Sequence, residues 1–127
     1  MSLTPGILDF NWVRGTTSPL VVGLHQDSVP LPYDDIRLSV YNGSTLVFRI
    51  TLESNEGEGP GTVQITSPGW FKFTPTPEQT RALKQVKIDA GGKNNYEVEL
   101  RNGTSELVYL MGTIAGIGGI NDDEEIS

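Results

Sequence analysis

Two stretches of this chain repeat one pattern: a run that alternates apolar and polar residues, then Asn-Gly, then a second apolar run. In the first, Ile36, Leu38 and Val40 alternate with Arg37, Ser39 and Tyr41; Asn42-Gly43 follows, and Leu46, Phe48, Ile50 and Leu52 carry the return. In the second, Tyr96, Val98 and Leu100 alternate with Glu97, Glu99 and Arg101, and Asn102-Gly103 leads into the apolar run Ser105 to Thr113. A period of two puts successive side chains on opposite faces of a strand, and Asn-Gly accepts the positive φ angles of a tight hairpin. Two antiparallel hairpins, each with one buried face, are therefore expected. A chain committed to them needs a second apolar layer to cover that face.

Further strands are expected at 7–13, 17–24, 62–66 and 70–73, each bounded by Gly, Pro or Ser. The 15 glycines and 8 prolines fall between short apolar runs, the texture of many strands joined by turns. One interruption is helical: Thr76 followed by Pro77 and Gln79 forms a Thr-x-x-Gln capping box, predicting a short helix near residues 77–85 that plugs one end of the β core. Val86 to Ile88 is read as a further short strand. Glu53 to Gly61 and the residues from Gly116 onward are expected to be mobile. With no β-α-β alternation and no long helix, the fold class is all-β. We expect an immunoglobulin-like β-sandwich of about seven to nine strands, a small barrel being the alternative. Residues 1–115 form the expected domain, and 116–127 a Gly-rich and acidic tail. Without cysteine there is no inter-sheet disulfide, so Phe48, Phe71, Phe73, Tyr96 and one or both tryptophans must fill the interior.

Charge and composition then narrow function. The formal net charge is −7, and Asp122, Asp123, Glu124 and Glu125 carry much of it. The nine Lys and Arg are scattered, so no basic patch is available for nucleic acid. The uncharged stretch Leu107 to Ile120 is shorter than the ~20 apolar residues that cross a bilayer, and Met1 to Gly6 lacks the form of a signal peptide. No membrane partner is expected. His25 is the single histidine and reads as a solvated turn residue between Leu24 and Val29. No Gly-x-Ser-x-Gly turn accompanies it, and no second His could share a metal. Glu97 and Glu99 point to the polar side of their strand, with Arg101 as their partner. Gly116-Ile-Gly118-Gly119-Ile-Asn121 lacks the third glycine and the helix of a dinucleotide loop. No catalytic, cofactor-binding or metal residue is assigned, and the chain is expected not to be an enzyme.

The block Phe10-Asn-Trp12-Val-Arg14-Gly15-Thr16 resembles the opening of small immunoglobulin-like domains of tailed-phage tail and baseplate proteins. The likeness is to the N-terminal domain type of phage baseplate upper proteins. Ile36 to Val40, Thr76-Pro-Glu-Gln-Thr80-Arg-Ala-Leu83, Tyr96-Glu-Val-Glu-Leu100 and Gly112 are similar to later blocks of that family. In place of its acidic turn stands Val29-Pro-Leu-Pro32. The resemblance implies a virion structural module that docks other tail or baseplate proteins, without catalytic residues or cofactor. Trp12, Tyr33, Tyr41, Trp70 and Tyr109 are the candidate interaction surface, and self-association through the run Leu107 to Ile114 is a secondary expectation. Two further readings stay open. One is a carbohydrate-binding or adhesive sandwich using exposed aromatics. The other is a small hydrolase, which requires a buried His25 beside a carboxylate.

Overall fold

The computed structural model describes residues 6–83 and 93–118. In chain order the elements are β1 (Gly6–Ile7), β2 (Phe10–Val13), β3 (Leu20–Gly23), β4 (His25–Gln26), β5 (Val29–Pro30), β6 (Asp35–Asn42), β7 (Thr45–Thr51), α1 (Leu52–Asn55), β8 (Thr62–Ser67), β9 (Trp70–Thr74), α2 (Pro77–Arg81), β10 (Lys93–Asn102) and β11 (Ser105–Ile117). The chain is an all-β sandwich. One sheet runs β1-β11-β10-β6-β7, with β2 also on β11, and the other runs β3-β9-β8. These orders are those of the G-F-C-C′ and B-E-D strands of an immunoglobulin sandwich. Strands beyond the expected seven to nine come from two places. The stretch 7–13 is two strands broken at Leu8 and Asp9, and the turn around His25 is itself a small hairpin, β4-β5.

Both Asn-Gly hairpins form, one step out of the expected phase. Asn42 pairs with Thr45 and Asn102 with Ser105, so the two turn residues are Gly43-Ser44 and Gly103-Thr104. Only the glycines have positive φ, +61° and +63°, which is the type II′ arrangement with Gly first. Each hairpin also carries a bulge. Val40 faces Phe48 while Tyr41 faces Leu46, leaving Val47 as the extra residue. Val98 faces Leu110 while Glu99 faces Val108, leaving Tyr109 extra. An extra residue reverses the in-out phase beyond it. Leu46, expected inside, is therefore exposed, and Val47 packs against the core instead.

The interior is the expected aromatic one: Phe48, Phe71, Phe73, Tyr96 and Trp12 are all buried. Each large apolar side chain taken out of water contributes roughly 1.5–3 kcal/mol, so this cluster dominates cohesion. Trp12 is 3% exposed and donates its indole N–H to the Ser18 carbonyl at 2.6 Å, which removes it from the candidate surface.

The capping box forms as expected. Thr76 Oγ1 accepts from the Gln79 backbone N–H at 3.0 Å, and Gln79 Oε1 accepts from the Thr76 N–H at 2.8 Å. The helix stops at Arg81, short of residue 85, because its C-terminal carbonyls are claimed from elsewhere. The buried Arg14 guanidinium donates to the Arg81 carbonyl at 2.6 Å and the Leu83 carbonyl at 3.0 Å. Thr80 Oγ1 also accepts from the Thr16 N–H and donates to the Thr16 carbonyl, while Leu83 turns into the core. Arg14-Gly15-Thr16 is thus a clamp that docks the helix on one end of the sandwich.

The segment 53–61, expected to be mobile, is a hydrogen-bonded crossing between the sheets. Thr51 caps α1 through Ser54 N–H, Asp35 accepts from Glu53 N–H, and Glu56 bridges to Val63. The run Leu107 to Ile114, expected to offer an edge, is largely occupied. β11 pairs with β10 on one side, and on the other with β1 at Leu110 and Met111 and with β2 from Ile114 to Ile117. Between those two short strands the Asp9 carboxylate accepts from Thr113 N–H and Oγ1. Tyr96 donates its hydroxyl to the Leu8 carbonyl at 2.7 Å. Gly116 and Ile117, expected to begin a mobile tail, instead end β11, paired with Trp12 and Val13 of β2; the strand expected at Val86 to Ile88 and the rest of the tail from residue 119 lie outside the described residues.

Candidate functional site

The end of the sandwich opposite the Arg14 clamp gathers three connections: residues 24–34, the Pro68-Gly69 turn and the Gly103 hairpin. At the end of β3, Trp70 lies across Gly23, whose missing Cβ leaves room for the ring; a Cβ there would stand 2.8 Å from it. Leu24 drops into the core and its N–H donates to the Gly69 carbonyl at 2.7 Å, tying the first connection to the second. Asp34 ties the first to the third: its N–H donates to the Arg101 carbonyl at 2.6 Å, and its carboxylate accepts from the Gly103 N–H.

Between Leu24 and Leu31 the chain leaves the sandwich as the β4-β5 hairpin. Gln26 pairs with Val29 around Asp27 and Ser28, whose φ angles are +52° and +66°. Positive φ at both central residues is the type I′ turn, usually built on Gly or Asn. Each residue held there without being glycine costs roughly 1–2 kcal/mol. Asp27 and Ser28 are the only non-glycine residues with positive φ among the described residues. Strain of this kind persists where surrounding contacts over-determine the loop. Here the bulge residue Tyr109 donates its hydroxyl to the His25 carbonyl at 3.1 Å, and the His25 ring leans on Trp70 with centroids 5.4 Å apart.

Among the described residues three recesses lie around this hairpin, one of them open and polar-edged against Gln26, Asp27 and Val29. Another, of about 170 Å³, is lined by Leu31, Pro32, Leu100, Asn102, Ser105 and Leu107. The third, open and about 380 Å³, lies against His25, Ser28 and Trp70. Val29 is exposed at the tip, and Trp70 is 44% exposed. The recess at Leu31 and Leu107 falls below the ~300–1,000 Å³ usual for small-molecule sites, so its size suits one inserted apolar side chain.

Of the expected surface residues, Tyr33, Trp70 and Tyr109 come together around the β4-β5 hairpin. Tyr33 is half-buried and meets Phe71 edge-on at 5.1 Å. Tyr41 sits toward the other end beside the Gly43 turn, where its hydroxyl accepts from Arg49 at 2.7 Å. The residues missing from the sequence-level surface are Val29, Leu31 and Pro32. Their signal was the Val29-Pro-Leu-Pro32 run, whose prolines forbid a regular continuation into β6.

His25 is half-buried, not fully solvated, and its ring makes no hydrogen bond or ion pair among the described residues. Glu99 and Glu106 are held by Arg101 at 2.8 and 2.9 Å. Every buried side-chain polar atom among the described residues has a partner, and no group of His, Asp and Glu there has the makings of a metal site. The chemistry this end displays is apolar and aromatic contact on a braced frame. Comparison with protein-family models, curated proteins and solved structures finds no match.

Proposed function

We propose that this chain is a non-enzymatic docking module, and that its setting is the tail or baseplate of a phage or prophage virion. It binds a protein partner through the loop end of the sandwich. The observation that carries the reading is the apolar recess at Leu31, Pro32 and Leu107 beside a strained, braced hairpin and the exposed Trp70. A small apolar pocket and an exposed tryptophan on one braced loop end are the composition of an interface hot spot. The tail setting rests on the resemblance of the Phe10–Thr16 and Thr76–Leu83 blocks. In this fold those blocks form the Trp12 core position and the Arg14 clamp, so they support the domain type and leave the docking surface to the loops.

A second reading has its own support. Trp70, His25 and Ser28 line an open recess that offers a sugar one aromatic face and polar neighbours. The two rings are inclined by 54°, so they do not form one flat platform.

One experiment addresses both. Tail and baseplate proteins encoded beside this chain are titrated against it by calorimetry, and a panel of oligosaccharides is added in parallel while tryptophan emission is followed. Trp12 is buried, so changes in emission report Trp70. Docking predicts a protein partner whose affinity drops on the order of 100-fold in Trp70→Ala, as at a hot-spot tryptophan. Saccharide-dependent quenching with no protein partner selects the sugar reading. Partner affinity unchanged in Trp70→Ala removes the loop end as the docking site.

A further inference from the structure

The outer face of the β11-β10-β6-β7 sheet carries most of its charge in local pairs. Arg37 meets Asp35 at 3.0 Å, and Arg101 meets Glu99 and Glu106. Among the described residues two charges stand outside this scheme: Glu97 makes no side-chain hydrogen bond or ion pair there, and Arg49 is held only by neutral groups, donating to Ser39 Oγ at 2.8 Å and to the Tyr41 hydroxyl. Both occupy one cross-strand row. Glu97 pairs with Ser39 on β6, and Ser39 pairs with Arg49 on β7. Opposite unmatched charges thus sit one strand spacing to either side of a small residue, about 10 Å apart in total.

That placement has a symmetry. A twofold axis lying in the face, parallel to β6 and passing over Ser39, exchanges the two flanks. It sets Glu97 of one copy against Arg49 of the other, and Arg49 of the first against Glu97 of the second. The same operation turns the exposed Met111, next to Glu97 on β11, toward the partner's β7 flank, where Leu46 is exposed. We propose that this face is a self-complementary dimer interface whose occupant is a second copy of the chain, joined by two reciprocal Glu97–Arg49 ion pairs. An isologous interface requires this reciprocity, each patch meeting its own copy. The interface uses a sheet face, because the edge of β11 is already covered by β1 and β2. It is separate from the loop end and stands or falls independently of the docking reading.

Sedimentation velocity over a concentration series on the full chain tests it. Wild type is expected to show reversible dimers. Glu97→Arg places arginine at both positions and Arg49→Glu places glutamate at both, so each variant alone faces like charge twice. Dimerisation should then weaken on the order of 100-fold or more. Mixing the two variants recreates both attractive pairs in a heterodimer, and the double variant E97R/R49E recreates them in a homodimer, so both should restore association. Circular dichroism checks that each variant is folded. If a reversal unfolds the domain, Glu97→Gln and Arg49→Gln replace it, each expected to weaken the dimer. A wild type that stays monomeric throughout the series, a single reversal that leaves the dimer intact, or a mixture that fails to recover it overturns the proposal.

Discussion

The two ends of this sandwich close in opposite ways. At one end Arg14 reaches 67 residues along the chain to hold the carbonyl of Arg81, the last residue of α2, and also holds that of Leu83 just beyond it, Thr16 and Thr80 exchange two hydrogen bonds, and Leu83 seals the core. At the other end the ties among connections are as numerous, but they run through backbone and side chains of the loops, and they leave apolar groups outward, Val29, Pro32 and Trp70, among the polar Asp27, Ser28 and Asp34. The first end satisfies polar groups that folding would otherwise bury unpaired. The second braces a hairpin in a conformation its residues do not favour. Of the two ends, the clamp contributes more to stability, and the braced loops carry the contact chemistry. Substitutions should therefore separate the two.

The largest effect is expected at the clamp. Arg14→Ala leaves the Arg81 and Leu83 carbonyls without their donor in a buried site, a loss of about 3 kcal/mol. Urea titration should show it as a lower midpoint at unchanged slope. Arg14→Lys keeps the charge and loses the planar fork, so it should recover only part of the loss. If Arg14→Ala melts within experimental error of wild type, the clamp is not what closes this end.

Gly69→Ala tests the loop end by the same measure. The glycine has φ +79°, and a Cβ there would collide with the His25 imidazole. Strain in the turn and displacement of the ring from Trp70 should together cost about 2 kcal/mol. Emission from Trp70 should shift as well, a change that Arg14→Ala does not produce in the folded protein. Trp70→Ala itself should cost only about 1 kcal/mol, because the ring is half in solvent and packs only on Gly23 and the partly exposed His25 ring. Its large effect is reserved for partner affinity. A Trp70→Ala variant as unstable as Arg14→Ala would make Trp70 a packing residue and reverse the contrast.

How much of this was legible in the sequence follows from how local each feature is. The hairpins and the capping box depend on residues within a few positions of one another, and both were readable. The opposite fates of Trp12 and Trp70 were also written locally. In Phe10-Asn-Trp12-Val the tryptophan shares the buried phase, whereas in Trp70-Phe-Lys-Phe73 the two phenylalanines take that phase and leave Trp70 outside. The bulges at Val47 and Tyr109 were not legible, since one extra residue reverses the pattern without changing its composition. The turn between Leu24 and Val29 was readable, but its form as the paired β4-β5 hairpin was hidden, because Asp27-Ser28 adopts φ signs that sequence usually announces with glycine. The clamp could not be read at all: nothing near Arg14 points to carbonyls that lie so far along the chain. The Glu97–Ser39–Arg49 row needed the register of three strands.

The smallest effect concerns pH, and it belongs to the half of the molecule near the clamp. Tyr96 is buried, stands edge-on to Phe10 at 5.2 Å, and donates its hydroxyl to the Leu8 carbonyl. Burial, with the nearby Asp9 carboxylate adding to it, pushes its pKa from 10.0 up to about 12. Over that interval the folded protein keeps the phenolic proton while the unfolded chain releases it, so the folded state binds more protons and stability falls as pH rises. The contribution is whole below pH 10.0 and is lost as pH climbs through about 12. Tyr96→Phe removes the ionisation along with the bond to Leu8. It should be slightly less stable than wild type at neutral pH and should lose less stability between these limits, so the two melting curves converge with rising pH. Parallel curves would mean that Tyr96 ionises as freely in the folded state as in the unfolded chain, and the hydroxyl could not then be the pin that holds the break between β1 and β2 against β10.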